Sequence, residues 1–153
     1  MTPTLYGRWQ TRWFLLLTIG FPLTFLLIQI NWIESSDGIA YGILIYLGLC
    51  GILWDILYDR LQQFLWDHDW PGLLQFVANI LEGILFYALF LPILKGFHLP
   101  GIDHQISIES FVIQYVVVSI GIYVFSWGVM RLLFPRWRFR GGEWLGEWPT
   151  PER

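Results

Sequence analysis

The chain has 153 residues, 56% hydrophobic, 19% aromatic and 14% charged, with a formal net charge of −3. A soluble domain carries about 25% charged residues; with a mean hydropathy of +0.53 this chain has too little polar surface to cover its apolar groups in water, and the same composition excludes intrinsic disorder. The acidic balance argues against nucleic acid as a partner, which would need Lys and Arg clustered across the fold. One domain, integral to a membrane, is the class that fits.

A bilayer core about 30 Å thick takes roughly 20 apolar residues of helix. Four runs qualify in chain order. Residues 13–33 carry no charge. Residues 38–54 are uncharged and reach full length if the helix continues through Tyr58. Residues 70–94 carry one charge, Glu82, and residues 110–130 carry none. The runs are continuous rather than alternating, which favours helices over a barrel. The expected fold is therefore an all-α, four-helix transmembrane bundle with spans at about 13–33, 38–58, 70–94 and 108–132. Residues 1–134 form the transmembrane domain and 135–153 an interfacial tail. The first run is too long for the apolar stretch of a signal peptide and no A-x-A site follows it. Pro22 should kink the first helix, while Pro92 falls near the end of the third, where it costs less. Cys50 has no partner for an internal disulfide and reads as a small packing residue.

Orientation follows from Lys and Arg in the connections. The N-terminal segment holds Arg8 and Arg12, the second loop Arg60, and the C-terminal tail Arg131, Arg136, Arg138, Arg140 and Arg153; the first loop holds none and the third only Lys95. Eight against one places both termini in the cytoplasm. Trp9, Trp13, Trp32, Trp66, Trp70 and Trp137 lie near the expected boundaries, where indoles favour the headgroup level. Arg136, Trp137, Arg138 and Arg140 interleave base and aromatic beside a span, a pattern suited to anionic lipid headgroups.

The second and third runs carry a polar stripe. At about 100° per residue, Asp55, Asp59 and Gln62 fall on one helix face, with Gly48 and Gly51 on the same line one to two turns deeper. Gln75, Asn79, Glu82 and Phe86 form a matching line on the third helix. Lipid offers such groups no hydrogen-bond partner, so the two lines are expected to face protein or water. A hairpin turning at Asp67–Asp69, with Asp69 as helix cap and Pro71 in the first turn, would level Gln62 with Gln75, Asp59 with Asn79 and Asp55 with Glu82. The glycines would then let the backbones approach closely. Glu82 lies about 16 Å inside Pro71 along the axis, where a charge costs at least about 2.5 kcal/mol. It is either neutral, or paired with Arg12 or Arg131, or part of a proton or cation site shared with Asp55.

Two further groups suit metal ions. Asp67, His68 and Asp69, beside Asp59, could hold a hard divalent cation, although an N-cap turn explains them equally. His98, Asp103 and His104, with Glu109 nearby, could take zinc, although the Pro100-Gly101 turn and the lack of helical spacing weaken that. No nucleophile elbow, phosphate loop, dinucleotide fingerprint or zinc-protease motif is present, and no cofactor is indicated.

The stretch Trp54-Asp55 to Trp66-Asp67-His68-Asp69-Trp70-Pro71, followed by Glu82-Gly83, resembles small multi-pass membrane proteins of bacteria, including cyanobacteria, that have no assigned function. The resemblance covers the central third of the chain and implies a bacterial plasma or internal membrane. The leading expectation is a small scaffold, accessory subunit or assembly factor, contacting lipids and either other membrane subunits or further copies of itself. The alternatives are a proton- or cation-coupled carrier using Glu82 and Asp55, and a Mg²⁺-dependent lipid-modifying enzyme using Asp55, Asp59, Asp67 and Asp69.

Overall fold

The computed structural model describes residues 5–33, 38–62, 72–97 and 107–134. Every regular element among them is helical. Helix α1 runs Leu5–Gln29 and contains a π-turn at Leu16–Gly20. Helix α2 is Ile39–Gln62. Helix α3 covers 72–96 as Gly72–Leu85, a π-turn at Phe86–Phe90 and Leu91–Gly96. Helix α4 is Ile108–Trp127, and a single-turn helix α5, Val129–Leu133, follows Gly128. The first four are long and apolar enough to cross a membrane.

The boundaries differ from the expected spans in ways that matter for the site. Helix α1 starts at Leu5, not near residue 13, so Arg8 and Arg12 lie within it. Arginine is a good helix former, and counting apolar residues alone mistakes it for an end signal. The helix stops at Gln29 because Asn31 adopts a positive φ of 55°, which asparagine tolerates. The Ile30, Asn31 and Trp32 amides then close the last carbonyls. The expected fourth span, 108–132, breaks at Gly128. Its start is fixed by Ser107, whose side chain accepts from the Ser110 amide at 3.2 Å.

Pro22 and Pro92 are met in the same way. A proline lacks an amide hydrogen and clashes with the carbonyl four residues back. Ahead of Pro22, the Phe21 amide bonds to the Leu16 carbonyl, and ahead of Pro92 the Leu91 amide bonds to that of Phe86. These five-residue steps insert one residue into the helix. On α3 the inward face therefore runs Glu82, Phe86, Leu91, with an interval of five across the turn.

Three apolar clusters hold the bundle. Ile39, Ile43, Leu47, Cys50, Phe86, Leu91 and Phe111 join α2, α3 and α4. Leu16, Leu44 and Val118 join α1, α2 and α4, and Leu27, Ile33 and Ala40 pack against Ile113 and Val117. Helix α2 is the most enclosed of the four spans. Aromatic rings line the α3–α4 seam: Phe111 stacks with Phe86 at 6.0 Å and with Tyr115 at 5.7 Å between centroids. The Tyr115 ring lies directly over Gly83, where a Cβ would overlap it. Gly83→Ala should displace that ring and cost about 1–3 kcal/mol as an overpacking change. Thermal unfolding of the purified chain checks this, and an unchanged melting temperature would show that the seam yields.

Candidate functional site

Arg12 reaches from α1 between α2 and α3. Its Nε and Nη2 donate to the two oxygens of Asp55, each at 2.9 Å, and its Nη1 donates to Oε1 of Glu82 at 2.8 Å. The fork on Asp55 uses the planar geometry that suits guanidinium to carboxylate. Asp55 and Glu82 are 5% and 7% exposed, whereas the Arg12 side chain is 22% exposed. Arg12 lies seven residues inside the start of α1, Asp55 seven before the end of α2 and Glu82 ten inside α3. The triad thus sits about 10–15 Å along the helices from one end of the bundle. Arg8, one turn from Arg12, lies in the electrostatic field of Asp55 and Asp59.

The glycines expected to bring α2 and α3 together act otherwise. A Cβ on Gly51 would fall inside the Arg12 guanidinium, and one on Gly48 would stand 3.0 Å from the Trp13 ring. They make room for side chains of α1. Trp13 is correspondingly a packing residue within the bundle.

At the Asp55–Glu82 level the expected two-helix seam has a third member, Arg12 of α1. Asp55 and Glu82 do meet, through Arg12. Asn79 serves α4, its side-chain oxygen and carbonyl accepting from the Tyr115 hydroxyl at 2.8 and 2.6 Å. Gln75 is exposed; it lies three residues into α3, about 5 Å from the helix start, where headgroups and water can satisfy it. The side chain of Gln62 lies outside the described part, as does that of Arg131, the other candidate counter-ion of Glu82. Between α2 and α3 the Tyr58 hydroxyl points to the Ala78 carbonyl at 3.4 Å.

Two residues that sequence patterning passed over form a second polar tie. The Gln114 amide donates to the Ala40 carbonyl at 2.7 Å and to the Thr24 hydroxyl at 3.3 Å, joining α4, α2 and α1 with both side chains buried. Thr24 is twelve residues beyond Arg12, about 18 Å along α1, so the two ties lie toward opposite ends with apolar packing between. Gln114 is the one amide in the run 110–130, and that was the available signal.

The candidate metal residues Asp67, His68, Asp69, His98, Asp103 and His104 lie outside the described residues, as do the headgroup candidates Arg136, Trp137, Arg138 and Arg140; Glu109 is exposed in the first turn of α4. Among the described residues no group of three or more His, Cys, Asp or Glu is arranged to hold a metal ion. Compared with known proteins, the chain matches no family model, no curated protein and no solved structure.

Removing one partner of a buried ion pair strands the rest at a cost of about 3–5 kcal/mol. Arg12→Ala, which strands two carboxylates, should destabilise the chain by that amount. Arg12→Lys should recover only part of it, because one ammonium cannot fork onto Asp55 and also reach Glu82. Unfolding free energies of the purified variants decide; equal stability of Arg12→Ala and wild type would contradict the triad.

Proposed function

We propose that this chain is a non-enzymatic membrane protein, a small scaffold, accessory subunit or assembly factor of a larger membrane complex in a bacterial plasma or internal membrane. The observation that carries this reading is the use made of polar side chains at depth. Arg12, Asp55 and Glu82 tie α1, α2 and α3; Gln114 and Thr24 tie α4, α1 and α2; Tyr115 and Asn79 tie α4 and α3. Each is engaged in holding helices in register. Outward, α3 and α4 present apolar residues such as Leu81, Ile84, Leu89, Val116 and Ile120, surfaces suited to lipid and to the helices of other subunits. The carrier reading on Glu82 and Asp55 has less support, because Arg12 engages both.

Both ends of the chain are placed in the cytoplasm under the same proposal. Arg12, paired at depth, no longer counts as a flanking residue, which leaves seven basic residues on that side, Arg8, Arg60, Arg131, Arg136, Arg138, Arg140 and Arg153, against Lys95 on the other. A reporter fused to the C-terminus should read as cytoplasmic; an extracytoplasmic reading would reverse the topology. Extraction from native membranes in mild detergent, followed by native mass measurement, should yield a complex of fixed stoichiometry with chains of other sequence. A monomer, or a symmetric oligomer of this chain alone, would overturn the accessory role.

A further inference from the structure

We infer that the Arg12–Asp55–Glu82 cluster is a proton-binding site, with one exchangeable proton carried on Oε2 of Glu82. The inference goes beyond the accessory role and stands or falls separately from it, since it concerns a proton inside the bundle and not the company the bundle keeps.

Three observations carry it. The first is charge count. One guanidinium faces two carboxylates in the triad, and including Arg8 and Asp59, which lie in the same field, gives two cations against three anions. Among the described side chains one negative charge stays uncompensated at a buried site, where an unpaired charge is costly. The second is the asymmetry of the bonds. Asp55 uses both oxygens on Arg12, so a proton there would displace one of the two donors. Glu82 uses Oε1 alone and has no second hydrogen-bond partner among the described residues. A proton on Oε2 therefore leaves every observed bond in place and makes the triad neutral. The third is burial. Glu82 is 93% buried, from its 7% exposure, at a depth where a charged carboxylate is costly and its neutral form is favoured.

The groups facing Glu82 come from three helices: Arg12 from α1, Cys50, Asp55 and Tyr58 from α2, and Tyr115 from α4. The two tyrosines and the cysteine are neutral donors near neutral pH, so none of them removes the excess charge. The step is simple in balance. A proton from water forms an O–H bond at Oε2 of Glu82, hydroxide returns to solvent, and the Arg12 Nη1–H bond to Oε1 is kept.

The test is infrared spectroscopy of the full chain in lipid nanodiscs across a pH series, following the carbonyl stretch of a protonated carboxylic acid. The wild type should show one such band per chain at neutral pH, sensitive to exchange into D₂O. The band should shift when glutamate is ¹³C-labelled and stay in place when aspartate is. It should vanish in Glu82→Gln. It should also vanish in Asp55→Asn, because Arg12 and Glu82 then form a balanced pair with no call for a proton. A wild type with no protonated carboxyl, a band that shifts with aspartate labelling, or a band that survives Glu82→Gln would each overturn the assignment. So would a band that appears only when sodium and potassium are replaced by choline, since a metal cation would then be the balancing charge. The labelling arm needs no variant and separates glutamate from aspartate even if a substitution fails to fold.

Discussion

A guanidinium placed inside an apolar helix has to find anions, and this requirement organises the molecule. Arg12 lies too far into α1 to be ignored and meets its partners on two other helices, Asp55 on α2 and Glu82 on α3. Buried ion pairs add little net stability, because desolvation offsets the Coulomb attraction. Their stronger effect is on which arrangements are allowed. Any sliding or rotation of α1 against α2 strands at least one charge in hydrocarbon, at about 2.5 kcal/mol or more. Gly51 belongs to the same constraint, since the guanidinium occupies the space a Cβ would fill.

The rest of the bundle is arranged around that fixed point. Toward the other end, Gln114 repeats the device with neutral groups, reaching Thr24 and the Ala40 carbonyl. Between the two ties lies the apolar packing of Leu16, Leu44 and Val118. The π-turns ahead of Pro22 and Pro92 keep α1 and α3 continuous through residues that cannot donate to an α-helical ladder. The inserted residue lets Leu91 follow Phe86 on the buried face despite a spacing that would otherwise turn it away.

Much of this was legible in the sequence. Charge scarcity and four apolar runs imply four spanning helices, because the bilayer penalises unsatisfied backbone regardless of what the protein does. The 3.6-residue period also singles out Asp55 and Glu82 as inward. What periodicity cannot supply is the partner across a gap. It shows that Glu82 faces something and leaves Arg12 and Arg131 as candidate counter-ions; it does not show that Arg12 also holds Asp55. Asn79 shares a stripe with Glu82 yet turns to Tyr115, and Gln75, on the same stripe, is near enough to the helix start to be exposed. Gln114 passes unnoticed because one amide in a long apolar run barely alters its average. Each miss concerns a pairing between helices, a property of three-dimensional arrangement and not of local order.

The bridging of two carboxylates by one guanidinium is the claim on which the account rests. Solid-state NMR on the chain in bilayers, with ¹⁵N in the arginine side chains and ¹³C in the carboxylates, measures it through dipolar couplings, using Asp55→Asn and Glu82→Gln for assignment. The account predicts that the Arg12 guanidinium couples to both the Asp55 and the Glu82 carboxyl carbons. Coupling of Arg12 to lipid phosphorus instead, with neither carboxylate in range, would place that side chain among the headgroups and contradict it.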